Sequence, residues 1–230
     1  MKLSDVSVVR TEKKYSISPY QQNILLYRLE PIMRADQHSS MGGYMVRSLY
    51  FDSIYDNDYF DKISGLEIRK KVRLRIYSPK QTTVKLELKQ KQGSAQKKSS
   101  LSITKELAEE MIHGYYTGLL ELNSDLALTF YQILETGLYR PKCIVEYHRI
   151  AFAEESNDTR ITIDSEIGMS SFCEHFFDEQ LSLIPVRKAP VLEVKYNGFL
   201  LSNIKQVLDF ADAPELAISK YAMSRQVLGM

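Results

Sequence analysis

Residues 69–98 read RKKVRLRIYSPKQTTVKLELKQKQGSAQKK, and the rest of the chain is organised to support them. Arg or Lys stands at 69, 70, 71, 73, 75, 80, 85, 89, 91, 97 and 98, opposed within the stretch only by Glu87. Lys71, Arg73, Arg75 and Tyr77 alternate with Val72, Leu74 and Ile76. Lys85, Glu87, Lys89 and Lys91 alternate with Val84, Leu86 and Leu88. Alternation with period two specifies two β-strands, each with one apolar and one cationic face. Neighbours on one face lie about 6.6 Å apart along a strand and about 4.8 Å apart across strands. Such a grid of like charges repels itself unless a polyanion or counterions lie on it. A solvated outer face of an antiparallel sheet would show the same pattern, so the stretch alone leaves both readings open.

Outward from this core, a first strand is expected over 7–15, with Arg10, Glu12 and Lys14 on one face. Ser18 caps a helix with Pro19 at its first position and an apolar stripe of Ile24, Leu25, Leu29, Ile32 and Met33. Gly42-Gly43 breaks the chain before a strand at 44–51, and Ser53 caps a short helix to about Ile63. A strand through Leu101 and Ile103 leads to helices near 104–116 and 124–136, separated by Gly118. Strands resume at 142–153, 159–164, 181–186 and 190–196, where Glu193 and Lys195 share a face opposite Leu192, Val194 and Tyr196. Ser202 caps a helix to about Ala211, and a last helix begins near Ser219-Lys220. The pattern is one α+β domain over 1–230, with about eight mostly antiparallel strands and peripheral amphipathic helices.

Composition narrows the function classes. The 230 residues carry 30 Lys and Arg against 29 Asp and Glu, for a net charge of +1, which argues against a nucleic-acid binder. The cations are concentrated rather than abundant, and that indicates a local anion site. No run of 18 uncharged apolar residues exists and the N-terminus has no apolar signal core, so no membrane span is expected and the cytoplasm is the expected location. Cys143 and Cys173 have neither metal nor redox spacing and read as reduced, buried thiols. His38, His113, His148 and His175 lack metal-binding spacing and read as surface or packing residues.

Several strands thus carry charges on one face and aliphatics on the other. An open sheet would turn the charged face to water. A closed sheet would line a lumen with it and pack its aliphatic face under the helices. The supply of helices favours closure.

At this point the residues resemble a known family, the VTC-type polyphosphate polymerase domain within the CYTH or triphosphate tunnel metalloenzyme superfamily. The matching pieces are RTEKKY at 10–15, SLYFDS at 48–53, VRLRIY at 72–77 and LELKQK at 86–91. Lys97-Lys98, EYHRIAF at 146–152, TRITID at 159–164, LEVKY at 192–196 and SKY at 219–221 continue the series in the family's order. The resemblance implies an eight-stranded antiparallel closed β-barrel, a tunnel that binds ATP and inorganic polyphosphate or pyrophosphate. It implies Lys14, Arg73, Arg75, Lys89, Lys98, Arg149 and Lys220 as phosphate-binding cations, with Arg10, Lys85, Lys91 and Lys195 in secondary roles. It also implies Glu193 as main ligand of Mn²⁺ or Mg²⁺, with Glu12 as a second candidate. Many tunnel hydrolases begin with E-x-E-x-K. Here Arg10 replaces the first acid, a departure that suits the polymerase branch.

The expected activity is transfer of the ATP γ-phosphate onto a polyphosphate end. Phosphoryl transfer rests mostly on positioning and charge neutralisation, which forked arginines and adaptable lysines supply. The alternatives are a triphosphate or nucleoside triphosphate hydrolase and a binding module without turnover; a membrane or regulatory partner protein remains unknown. Among the blander readings, Glu87 and Lys89 form a cross-strand ion pair, Glu12 only neutralises its neighbours, Arg160 and Asp164 support each other, and Tyr50 and Tyr77 pack. Glu146 and Arg149 fall on opposite faces of a regular strand, which leaves Arg149 alone for the site.

Overall fold

The computed structural model describes residues 10–36, 42–93, 95–209 and 213–229. Its contacts fall into two compact units. The first comprises residues 1–44, 148–166 and 187–218, and the second comprises 45–147, 167–186 and 219–230. Every pairing whose register is resolved is antiparallel.

In the first unit β1 (Arg10–Ser16) leads to α1 (Pro19–Leu29) and the two-residue β2 (Arg34–Ala35). Ser18 caps α1 as expected: its Oγ accepts from the Gln21 N–H at 3.2 Å, while Gln21 Oε1 accepts from the Ser18 N–H at 2.7 Å. This unit also holds the start of β3 (Tyr44–Ser53) and segments of the long strands β7 (Tyr139–Glu154) and β8 (Thr159–Ser170). β10 (Val191–Asn197) and α5 (Ser202–Asp209) complete it. The strand order is β1-β10-β8-β7, with β2 on β7. Ile161, Ile163, Leu192 and Val194 turn their shared face to Leu25 and Leu29 of α1 and Ile204 of α5. Helices therefore cover the aliphatic face of these strands. Gly43 must be glycine here: its φ is +83°, and a Cβ would fall 2.5 Å from the Arg149 carbonyl oxygen.

The second unit takes most of β3, then α2 (Asn57–Ile63), β4 (Ile68–Ile76), β5 (Thr83–Gln92) and β6 (Ala95–Thr104). α3 (Lys105–Ile112), a 3₁₀ segment at Thr117–Leu122 and α4 (Asp125–Thr136) follow. β9 (Ile184–Arg187) pairs with β8, and α6 (Lys220–Val227) closes the unit. The order is β8-β7-β3-β4-β5-β6. Leu49, Phe51, Val72, Leu74, Val84 and Leu86 form one apolar face, packed against Met111, Leu119, Phe130 and Leu134. In both units the described pairings leave the strand order open, so closure into a barrel is not among them. Among the described residues ten strands form instead of about eight, the short β2 and β9 being the additions. His38, residues 7–9 of the expected first strand and the end of the expected helix at 210–211 lie outside the described residues. His113 and His175 are exposed and His148 is half-buried against Gly43. Among the described residues no helix is long and apolar enough to cross a membrane.

The start of α2 departs from expectation. Ser53 contributes one bond, from the Asn57 N–H at 3.1 Å, but the buried Asp52 does most of the capping. Its carboxylate accepts from the N–H groups of Asp58 and Tyr59, both at 2.9 Å, and from the Tyr221 hydroxyl at 2.6 Å. Asp56 stands at φ 59°, a left-handed position that costs a non-glycine residue strain. Lys142 at 2.8 Å and Arg225 at 2.7 Å hold its carboxylate there. Asp58 is fully buried beside Asp52 and accepts from the Tyr139 hydroxyl at 2.8 Å.

Burial, reinforced by the Asp52 charge, pushes the Asp58 carboxyl up to about 7. A carboxyl whose folded pKa is raised keeps its proton in the folded state over a range where the unfolded chain has lost it. Asp58 should therefore cost stability as pH rises from about 4 to about 7, by on the order of 4 kcal/mol. Asp58→Asn, which mimics the neutral acid, should flatten the fall in melting temperature across that window. An unchanged slope would assign the titration elsewhere.

Candidate functional site

The polar faces opposite the two cores carry nearly all of the expected site residues. In the second unit the register sets them in rows. Lys71, Lys89 and Lys98 stand directly opposite one another, as do Arg73, Glu87 and Ser100, and Arg75, Lys85 and Ser102. Arg69, Lys91 and Gln96 make a further row. Directly opposed residues project from the same face of a sheet, so eight cations share this face with one carboxylate.

That carboxylate is the centre of the arrangement. Glu87 is 4% exposed, and its Oε2 accepts from Arg73 Nε at 2.7 Å, with Arg73 Nη2 also at 2.7 Å. Arg75 Nε lies 3.7 Å from Oε2, and Lys98 Nζ lies 2.5 Å from Oε1. Burial opposes its ionisation, yet Arg73 and Arg75, followed by Lys98, pull the Glu87 pKa down to about 2. The expected Glu87–Lys89 pair is thus replaced by contacts with three other cations. Directly opposed residues meet more closely than neighbours two apart on one strand, which places Arg73 nearer than Lys89.

Aromatic rings support the remaining cations. Arg73 Nη1 donates to the Tyr50 hydroxyl at 3.1 Å. The Lys71 ammonium donates to Ser219 Oγ at 3.2 Å and lies 5.6 and 5.5 Å from the rings of Tyr50 and Tyr221. Lys220, the first residue of α6, sits 4.7 Å from the Tyr147 ring. Contacts of this kind stabilise a cation by about 0.5–2 kcal/mol without using its charge on an acid. Lys85 donates to Ser102 Oγ at 2.6 Å, Lys89 is exposed and Lys91 is half-exposed. Tyr50 is buried, as a packing residue should be, and Tyr77 is half-exposed. Glu146 bonds the buried Arg47 at 2.5 Å.

The first unit carries the carboxylate-rich group. Glu12 stands opposite Lys195, and Lys14 opposite Glu193, which faces Thr162 on its other side. Lys14 Nζ is 2.7 Å from Glu12 and 3.9 Å from Glu193, and Lys195 also ion-pairs with Glu193. Burial works against the Lys14 charge, but Glu193 and Glu12 outweigh it and raise its pKa. Arg149 forks onto Asp164 through Nε at 2.6 Å and Nη2 at 2.8 Å. The expected Arg160–Asp164 pair does not form; Arg160 instead reaches Asp36. Register explains this, since Arg160 and Asp164 are four residues apart on β8 and thus about 13 Å apart. Arg10 stands opposite Asn197.

Two glutamate carboxylates brought together at Lys14 fit a hard divalent ion such as Mg²⁺ or Mn²⁺. Mg²⁺ commonly takes one or two protein carboxylates and completes its shell with substrate phosphates and water. Among the described residues no three His, Cys, Asp or Glu converge as an all-protein metal cage. The two cysteines are buried and burial pushes both thiols up to about 12, as inert packing residues require. Lys71, the hub role of Glu87 and the Asp164 clamp were missed in the sequence. Alternation placed Lys71 and Glu87 on the right face, but only the register shows what each meets.

The family model of the VTC domain matches residues 9–229. The chain belongs to the VTC domain family. No curated protein matches the sequence. Among solved structures, a candidate adenylate cyclase from Bacillus halodurans matches with a TM-score of 0.55 at 12% identity, covering 90% of this chain and 92% of its own. A candidate adenylate cyclase from Vibrio parahaemolyticus matches with a TM-score of 0.52 at 12% identity, covering 96% and 98%. At these identities the TM-scores show a shared fold and nothing more. The VTC-domain chain has an α+β fold built on a large antiparallel sheet.

The Arg149–Asp164 clamp generates a stability prediction, because Asp164 is fully buried. Asp164→Asn leaves the guanidinium without its counter-charge, and breaking a buried pair costs about 3–5 kcal/mol. Urea unfolding should show this loss; a cost below about 1 kcal/mol would mean that the pair is solvated.

Proposed function

We propose that this VTC domain is a metal-dependent polyphosphate polymerase, transferring the γ-phosphate of ATP onto a growing polyphosphate chain in the cytoplasm. What carries the reading is the surplus of cations on the face they share with the buried carboxylate of Glu87, in a chain whose residues 9–229 match the VTC family. A linear polyphosphate adds roughly one negative charge per unit, so a face with charges repeated every two residues suits it. The reading takes residues 1–230 as one domain and includes closure of the strands into an eight-stranded tunnel, as the family resemblance implies.

Roles follow from charge and placement. Arg73, Arg75, Lys89, Lys98 and Lys220, with Lys14 and Arg149, bind phosphates, and Arg10, Lys85, Lys91 and Lys195 assist. Arginines offer two donors to one phosphoryl group, whereas lysines act as mobile point charges. Glu193, helped by Glu12, would hold Mn²⁺ or Mg²⁺, which supplies polarisation of the transferring phosphoryl group when bound. Lys14, already between the two carboxylates, keeps them from repelling one another. Replacement of a conventional first-strand acid by Arg10 favours the polymerase over a hydrolase.

Incubation with ATP and Mn²⁺ should give a polyphosphate ladder on a gel together with ADP. Orthophosphate without a ladder would make the protein a hydrolase, and tight binding without turnover would make it a binding module. Lys89→Ala and Arg75→Ala should each weaken polyphosphate binding by about 1.5–3 kcal/mol in calorimetry. Glu193→Gln should spare binding and abolish turnover; an active variant would move the metal to other ligands.

A further inference from the structure

We propose that Glu87 determines the specificity of the cation face, making it select phosphoryl chains over other polyanions of equal charge. The inference rests on the phosphate-binding reading and adds a residue that acts through others, as a positioning group. A face of lysines and arginines held only by their flexible stems adapts to any polyanion and ranks ligands by charge alone. This face is not free in that way. Glu87, on β5, reaches across to Arg73 and Arg75 on β4 and to Lys98 on β6, and so ties the side chains of two flanking strands to one buried point.

The donor count shows what remains for a ligand. An arginine has five N–H groups. Arg73 presents Nε and Nη2 to Glu87 and one Nη1 N–H to Tyr50. Each terminal nitrogen therefore keeps one N–H, and these two are fixed in direction by the contacts on the other side. About a fifth of the Arg73 side chain is exposed, so a ligand can reach it. Arg75 Nε is buried and has no hydrogen-bond acceptor, although Glu87 is 3.7 Å away. Lys98 uses one of its three N–H groups on Glu87 and is half-exposed. The carboxylate removes one unit of positive charge and gives fixed directions to the donors left over. Fixed donors match the close spacing of phosphoryl groups joined through shared oxygens, which sulfates on separate sugar carbons do not reproduce, while a flexible charged face matches only the number of charges.

The test compares tripolyphosphate with a sulfated oligosaccharide of the same formal charge, titrated into wild-type protein and Glu87→Gln at matched salt. The wild type should prefer tripolyphosphate. Glu87→Gln, with one more net positive charge but only a weaker neutral acceptor to hold the cations, should bind the sulfated probe as tightly or more tightly and should lose about tenfold in the ratio of the two affinities. An unchanged ratio overturns the proposal. A wild-type protein without any preference likewise overturns the proposal, whereas one that binds no tripolyphosphate overturns the phosphate-binding reading itself, and the first titration tells the two apart. Should Glu87→Gln fail to fold, Glu87→Asp carries the test, because it keeps the charge and shortens the reach to Lys98 and Arg73. The same loss of ratio in that variant supports the proposal, and retention of the wild-type ratio overturns it.

Discussion

A β-strand has two faces, and a strand that places cations on one of them must solve two problems at once. Its aliphatic face needs a cover and its cationic face needs relief from self-repulsion. Helices meet the first need in both units: α1 and α5 lie on Ile161, Ile163, Leu192 and Val194, while α3 and α4 lie on the β3–β4–β5 core. Relief on the cationic side comes from an acid and from aromatic rings. Glu87 serves three cations, the rings of Tyr50 and Tyr221 flank Lys71, and the Tyr147 ring meets Lys220. Rings shield a charge without cancelling it, so the face keeps its surplus.

The acids of the second unit divide their labour by environment. Asp52 is buried and spends its oxygens on backbone N–H groups and a hydroxyl, so it acts as a cap inside the core. Asp56 meets two cations and holds a strained backbone position. Asp58 has a hydroxyl and only a distant ammonium, with a second carboxylate close by, and its affinity for a proton rises. Glu87, equally buried, shows the reverse shift because cations surround it. The same functional group thus takes four roles, set by what faces it.

Much of this was legible in the sequence because it depends on local period. Alternation located β4, β5 and β10 and told their two faces apart, and Ser18 with Pro19 marked the start of α1. Partner choice was not legible. Arg160 and Asp164 share a face of β8 but lie too far apart along it to pair, and Asp164 bonds Arg149 across to β7. Ser53 and Asp52 are equally good capping residues by type, but the buried Asp52 makes more of the bonds. Such choices depend on register and on the distant residues that complete a pocket. Gly43 shows the same limit, since its necessity comes from the Arg149 carbonyl a hundred residues away.

The contacts of Asp52 and Asp56 also bear on how the chain acquires its structure during synthesis. Tyr221 and Arg225, which complete these two carboxylates, each follow them by 169 positions. At roughly 5–20 residues per second the ribosome takes on the order of 10–30 s to cover that distance. Throughout that interval two acids destined for burial lack a hydroxyl and a guanidinium, and water or a chaperone must stand in for them. The β4–β5–β6 hairpins, whose partners are close in sequence, can form early. The polar core under α6 can settle only after Tyr221 and Arg225 have been made, so a chain whose synthesis stops before Tyr221 has its hairpins but a core that is still wet.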